Sequence, residues 1–128
     1  MNLHSSAAPP VCLIVALCLA GLGLASSDRP AGGMTQDDAV REGWRQYSAN
    51  CARCHGDDAV AGIIAPDLRA SVAKGVVNRA SFQSVVSEGR RDKGMPGFKD
   101  QLTTQQIGAI YSYLEARVNG HLPAGRPK

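Results

Sequence analysis

The chain has 128 residues, 44% of them apolar, a formal charge of +3 and only six aromatics: Trp44, Tyr47, Phe82, Phe98, Tyr111 and Tyr113. That length fits one domain and excludes a large multidomain enzyme. A domain of this size buries a modest share of its surface, so the thin set of large side chains points to something besides side chains completing the core.

The first element is an uncharged apolar run of 15 residues, Val11 to Ala25. A membrane-spanning helix needs roughly 20 apolar residues. Gly23 and Ala25 sit at the −3 and −1 positions of a cut after Ala25. Residues 1–25 therefore read as a secretory signal peptide, with a retained membrane anchor as the competing reading. Val11 and Leu17, before Cys12 and Cys18, are not the small residues a lipoprotein requires, and the absence of Arg excludes an organellar transit peptide. Cleavage leaves Cys51 and Cys54 as the mature cysteines and points to a periplasmic protein.

Residues 26–34 read as a flexible leader, 35–119 as the folded domain and 120–128 as a disordered tail. Thr35 and Asp38 resemble a capping box ahead of Val40, Trp44 and Tyr47 at helical spacing, which predicts a helix over about 36–49. Residues 56–79 have no sustained period and predict a long loop with a short turn of helix. Phe82, Val85 and Val86 mark a short amphipathic helix ending near Gly89, followed by a Gly/Pro-rich loop to Asp100. Thr103 with Gln106 forms another capping box, and Ile107, Ile110, Tyr111, Leu114 and Val118 carry a last helix to Asn119-Gly120. The pattern is all-α, with loops long enough to wrap a function inside them. Charge is uneven: residues 28–67 sum to −3 and residues 68–128 to +6. That polarity fits either an oriented contact with an acidic partner or plain solubility. No nucleic-acid motif is present.

Cys51-Ala52-Arg53-Cys54-His55 is a Cys-x-x-Cys-His sequence, the c-type haem attachment motif. On a helical turn, residues three and four apart share a face. The two thiols can then take the haem vinyl groups while the His55 imidazole reaches iron. A Cys51–Cys54 disulfide would close a very short loop for little gain and would leave His55 unexplained. A thioredoxin-like site needs a βαβ context. A zinc site needs about four ligands, and only His55 and His121 remain beside the two cysteines in the mature chain.

Over about residues 35–118 the chain resembles class I cytochrome c. Gly43 and Tyr47, eight and four residues before Cys51, look like the small residue and aromatic on which the first helix crosses the last. Tyr111, Tyr113 and Leu114 look like their partners. The resemblance implies a cytochrome c fold, three to four helices with long loops around one covalent haem c. It implies that the Pro66 carbonyl receives the proximal His55 N–H and fixes its tautomer. It implies that Met95, in Gly94-Met95-Pro96-Gly97-Phe98, is the sixth iron ligand. Met34, near the flexible leader, and His121, in the tail, are the weaker candidates. Phe82 and Phe98 are expected to line the haem pocket or core. Trp44 is expected to pack between helices, with its indole N–H in reach of a haem propionate as a second role.

His/Met ligation leaves no open iron position and suits one-electron transfer without catalysis. Residues 56–117 resemble, more narrowly, the haem domains fused to pyrroloquinoline quinone alcohol dehydrogenases and the small cytochromes that accept their electrons. Without a quinoprotein domain, the chain is expected to be the carrier. Its donor would be a periplasmic dehydrogenase, and its acceptor a terminal oxidase or another cytochrome. A generic donor to a terminal oxidase stands beside that reading. The alternatives are a haem sensor or weak peroxidase with a labile Met95, and a membrane-anchored cytochrome subunit.

Overall fold

The computed structural model describes residues 34–62 and 64–128. The expected signal peptide, 1–25, and all of the leader but Met34 lie outside the described residues. Helix α1 runs Gln36–Asn50. The Thr35 hydroxyl accepts from the Asp38 N–H at 3.1 Å and donates to the Asp38 carboxylate at 2.7 Å. Asp37 and Asp38 in the first turn suit the positive end of the helix dipole. Val40, Gly43 and Tyr47 recur every three to four residues and are the buried face.

Helix α2, Ala52–His55, follows without a linker, because the Cys51 N–H still bonds back to Tyr47 O at 2.8 Å. A 3₁₀ turn at Asp57–Ala59 and helix α3, Leu68–Ala73, occupy the segment expected as a long loop with a short turn of helix. Asp67 starts α3 by accepting from the Ala70 N–H at 2.8 Å. Helix α4, Arg79–Glu88, begins at a reciprocal cap that the sequence reading missed: Ser81 N–H to Asn78 Oδ1 at 2.9 Å and Asn78 N–H to Ser81 Oγ at 3.0 Å. Helix α5, Thr104–Val118, opens on the expected Thr103–Gln106 box. Among the described residues the only β pairing is an isolated antiparallel one between Arg90 and Met95.

Helix α5 is the centre of the fold and packs against α1, α3 and α4. It buries more than one stripe: Ile107, Ile110 and Leu114, and also Ala109, Tyr113 and Ala116. Gly43 sets the α1 crossing. A Cβ there would overlap the Ala109 carbonyl oxygen and lie 2.9 Å from Tyr113 Cβ. The crossing brings the Tyr47 and Tyr113 rings to 5.4 Å, a separation at which tilted aromatics attract. On another side Phe82 meets Tyr111 at 5.4 Å. Arg79 locks α4 to α5, with its guanidinium 4.8 Å above the Tyr111 ring and bonded to Gly108 O, Ser112 Oγ and Glu115.

Residues 120–128, expected as a disordered tail, make contacts back to the body. The Gly125 N–H donates to Asp58 Oδ1 at 2.9 Å, Arg117 Nη1 donates to Leu122 O at 3.2 Å, and the Arg126 guanidinium lies 5.6 Å above the Trp44 ring.

Candidate functional site: a haem-attachment turn and its surroundings

The attachment motif is one helical turn. Cys51 N-caps α2, and its carbonyl accepts from Cys54 N–H at 3.1 Å and His55 N–H at 2.9 Å. That places residues 51, 54 and 55 on one side. Among the described residues both thiols are free, and both are half-buried. Burial pushes the Cys51 thiol up to about 12, with Cys54 adding to the effect. An apolar seat of this kind disfavours the thiolate.

His55 is buried, and its Nδ1 lies 2.9 Å from Pro66 O. A carbonyl only accepts, so Nδ1 carries the proton and the Nε2 lone pair is left for a metal. The pairing spans 11 residues. Two further contacts clamp the turn from positions the sequence reading did not single out or gave another role. Tyr47 Oη donates to Gly56 O at 2.6 Å. Gly62 lies against the Cys54 carbonyl, where a Cβ would be 2.7 Å from the carbonyl carbon. Burial raises the Tyr47 phenol above its usual range, in keeping with a proton retained for Gly56. Nothing local marks Gly62 in the sequence, since its neighbour in space is eight positions earlier.

Asp58 and Arg117 also emerge only in three dimensions. Arg117 is buried and lies 3.8 Å from Asp58, whose backbone is left-handed at φ 60. The next residue, Ala59, is left-handed too and fully buried. The tail and the Arg117 cation thus hold the turn that immediately follows His55.

Met95 sits in the loop between α4 and α5, half-buried, and packs on the same core cluster as Cys51 and Ala52. Leu68, Val72, Val77 and Phe98 are likewise half-buried against that cluster. Phe82 is in the core itself. Trp44 packs on the cluster from α1. Met34 is exposed ahead of α1 and His121 is exposed beyond α5.

The donor set fits a covalent haem. It combines two unpaired thiols, an imidazole with its outer nitrogen engaged, and a rim of half-covered apolar side chains that a flat macrocycle would bury. No cluster of His, Cys, Asp and Glu among the described residues offers a competing metal site.

Residues 38–114 match the model of a family described as cytochrome c oxidase, cbb3-type, subunit III. The chain belongs to this family and is a class I c-type cytochrome with covalent haem c as its cofactor. It is 37% identical over 98 residues to cytochrome c-553I of Paracoccus denitrificans, covering 71% of this chain and 42% of that one. It is 33% identical over 81 residues to quinohemoprotein alcohol dehydrogenase ADH-IIG of Pseudomonas putida, covering 63% of this chain and 11% of the dehydrogenase. The chain thus spans less than half the length of either relative. Among solved structures it resembles the c-type cytochrome XoxG of Methylobacterium extorquens AM1, with a TM-score of 0.62 and 28% identity over 70% of this chain and 57% of that one. The all-α cytochrome c fold expected from the sequence is the fold observed.

Proposed function

We propose that the mature chain is a periplasmic one-electron carrier in which His55 and Met95 would hold the haem iron. The observation that carries this reading is the bond from His55 Nδ1 to Pro66 O, which leaves the Nε2 lone pair available to a metal. Bound haem supplies a one-electron couple, and two protein ligands leave no position for oxygen or peroxide. The chain's own work is then positional. Cys51 and Cys54 would hold the group covalently, Pro66 would orient the proximal ligand, and Tyr47 of α1 braces the attachment turn through Gly56 O. No substrate pocket is required, so the protein carries electrons for enzymes without being one.

The donor we propose is a periplasmic dehydrogenase, a quinoprotein alcohol dehydrogenase in particular, in keeping with the likeness to a quinohemoprotein dehydrogenase. The acceptor is a terminal oxidase or another cytochrome. Among the described residues, no helix is long and apolar enough to cross a membrane; membrane contact would come only through partners or an uncleaved signal. Arg90, Arg91 and Lys93 lie exposed just before Met95, and among the described residues none is in an ion pair. Lys99 is also exposed but is paired with Glu88. These charges steer an acidic partner toward the loop.

Stopped-flow mixing with purified quinoprotein alcohol dehydrogenase tests the reading. Haem reduction is expected to be fast at low salt. It should slow as the screening length falls from about 30 Å at 0.01 M to about 10 Å at 0.1 M. Replacing Arg90, Arg91 and Lys93 by Gln should remove most of that dependence. A high-spin oxidised spectrum that binds cyanide readily would refute the carrier. A rate indifferent to salt would refute the steering.

A further inference from the structure

The methionine loop is built on the end of α4 in a way that neither the haem motif nor the fold class dictates. α4 ends at Gly89, whose N–H bonds to Val85 O at 2.7 Å. The chain then makes a hairpin. Arg90 N–H donates to Met95 O at 2.9 Å and Met95 N–H donates to Arg90 O at 3.0 Å, across a 3₁₀ turn at Arg91–Lys93 and a left-handed Gly94. Past Met95 the chain doubles back onto the helix it has just left. Phe98 N–H donates to Val86 O at 2.9 Å and Lys99 N–H to Ser87 O at 3.3 Å. Two of the last carbonyls of α4, which every helix leaves without intrahelical donors, are thereby capped by the segment that follows the methionine.

This seat requires glycine at two positions. A Cβ on Gly89 would lie 2.5 Å from Gly97 N, 2.6 Å from Pro96 C and 2.8 Å from Met95 O, and Gly89 has φ 78. A Cβ on Gly97 would lie 2.7 Å from Ser87 O and 2.8 Å from Glu88 O. Each obstacle is backbone, so no side-chain rotation relieves it. Gly94 differs: among the described residues a Cβ there meets nothing within 4 Å, and only its φ of 78 favours glycine.

We propose that Gly89 and Gly97 are the positioning residues for Met95, and that the seat they make holds the methionine through backbone hydrogen bonds rather than through its bond to iron. The proposal rests on the His/Met reading above only for what the methionine does once placed. A ligand preset in this way rarely leaves, which separates a carrier from a sensor or peroxidase.

The test uses the haem-loaded protein with Gly97→Ala, Gly94→Asn and Met95→Ala, read by two independent signals. One is the far-red methionine–iron charge-transfer band together with the affinity for added imidazole. The other is hydrogen exchange at the amides of residues 95, 98 and 99. In Gly97→Ala the band is expected to fade and all three amides to lose protection together. Imidazole affinity should rise about tenfold for a tenfold rise in the ligand-free population. Gly94→Asn, which introduces a residue that tolerates the left-handed backbone there, should change both signals far less than Gly97→Ala. Met95→Ala should lose the band yet keep the three amides protected, and this variant alone decides the matter if Gly97→Ala does not fold.

The proposal is overturned if Met95→Ala exposes those amides as far as Gly97→Ala does, because the iron bond would then be holding the loop. It is also overturned if Gly97→Ala keeps both band and protection. A native protein without the band defeats the ligation reading instead, and the amide comparison still upholds or overturns the seat.

Discussion

Gly43→Ala adds a single methyl group at the α1–α5 crossing. The new carbon would overlap the Ala109 carbonyl oxygen, 2.5 Å from its carbon and 2.9 Å from Tyr113 Cβ. Carbon atoms in ordinary contact are about 3.5 to 4.0 Å apart, so the helices must part by about 1 Å. No rotamer change can absorb this, since the nearest atoms are backbone. Overpacking of this kind costs typically about 1 to 3 kcal/mol. The upper end is expected here, because the same movement pulls Tyr47 from Tyr113 and loosens the Tyr47–Gly56 bond at the attachment turn. For a domain of this length, about 3 kcal/mol lowers the melting temperature by roughly 12 to 24 °C. The assay is thermal and guanidinium unfolding of the haem-loaded protein, followed by far-ultraviolet circular dichroism and the Soret band. Gly108→Ala is the control. Gly108 is also helical, but a Cβ there meets only Arg79 Nη1 at 3.9 Å. It should stabilise by about 1 kcal/mol through helix propensity. A Gly43→Ala protein that melts with the wild type, or a Gly108→Ala protein that falls as far, would refute the packing argument.

The Asp58–Arg117 pair predicts an asymmetry. Asp58→Asn leaves a buried guanidinium without its carboxylate and should cost about 2 kcal/mol, whereas Arg117→Met, of similar volume, should stay within about 1 kcal/mol of the wild type; denaturant midpoints decide, and equal losses would refute the asymmetry. Tyr113 predicts a pH dependence. Burial, with the field of Asp58 adding, pushes its phenol from 10.0 to about 12. The unfolded chain then loses this proton first, so stability is unaffected below pH 10 and falls as pH rises toward 12, where ionisation favours the unfolded chain. Its hydroxyl is buried without a partner among the described residues. Tyr113→Phe should therefore be neutral to about 1 kcal/mol more stable at pH 7 and should decline less above pH 10. A steeper alkaline decline in the variant would overturn that reading.

Helix ends were legible where caps are local. Thr103 and Gln106 face each other across one turn and act as a box wherever the helix forms. The Asn78–Ser81 box escaped because Ser was not read as the reciprocal partner that Glu or Gln usually supplies. The segment from 56 to 79 was harder. Its 3₁₀ turn depends on two consecutive left-handed residues, Asp58 and Ala59, whose identities do not announce that conformation. Asp58 is held by Arg117 and Gly125, 59 and 67 residues further on. The last helix was expected from apolar residues at helical spacing, and it buries residues on several faces. Its central place among α1, α3 and α4 is a property of the packing that a single stripe of apolar residues does not encode.

The chemistry of this protein was already determined by its sequence, because five contiguous residues place two thiols and an imidazole on one helical turn. No distant part of the chain is needed to bring Cys51, Cys54 and His55 together. Tertiary structure alone decided the rest. It made Gly62, Gly89 and Gly97 points where backbones touch, and folded the chain after Met95 back onto α4. Those facts are distances between backbone segments apart in the sequence. A glycine required by a neighbouring carbonyl reads the same in the sequence as one facing solvent, as Gly97 and Gly94 do three residues apart.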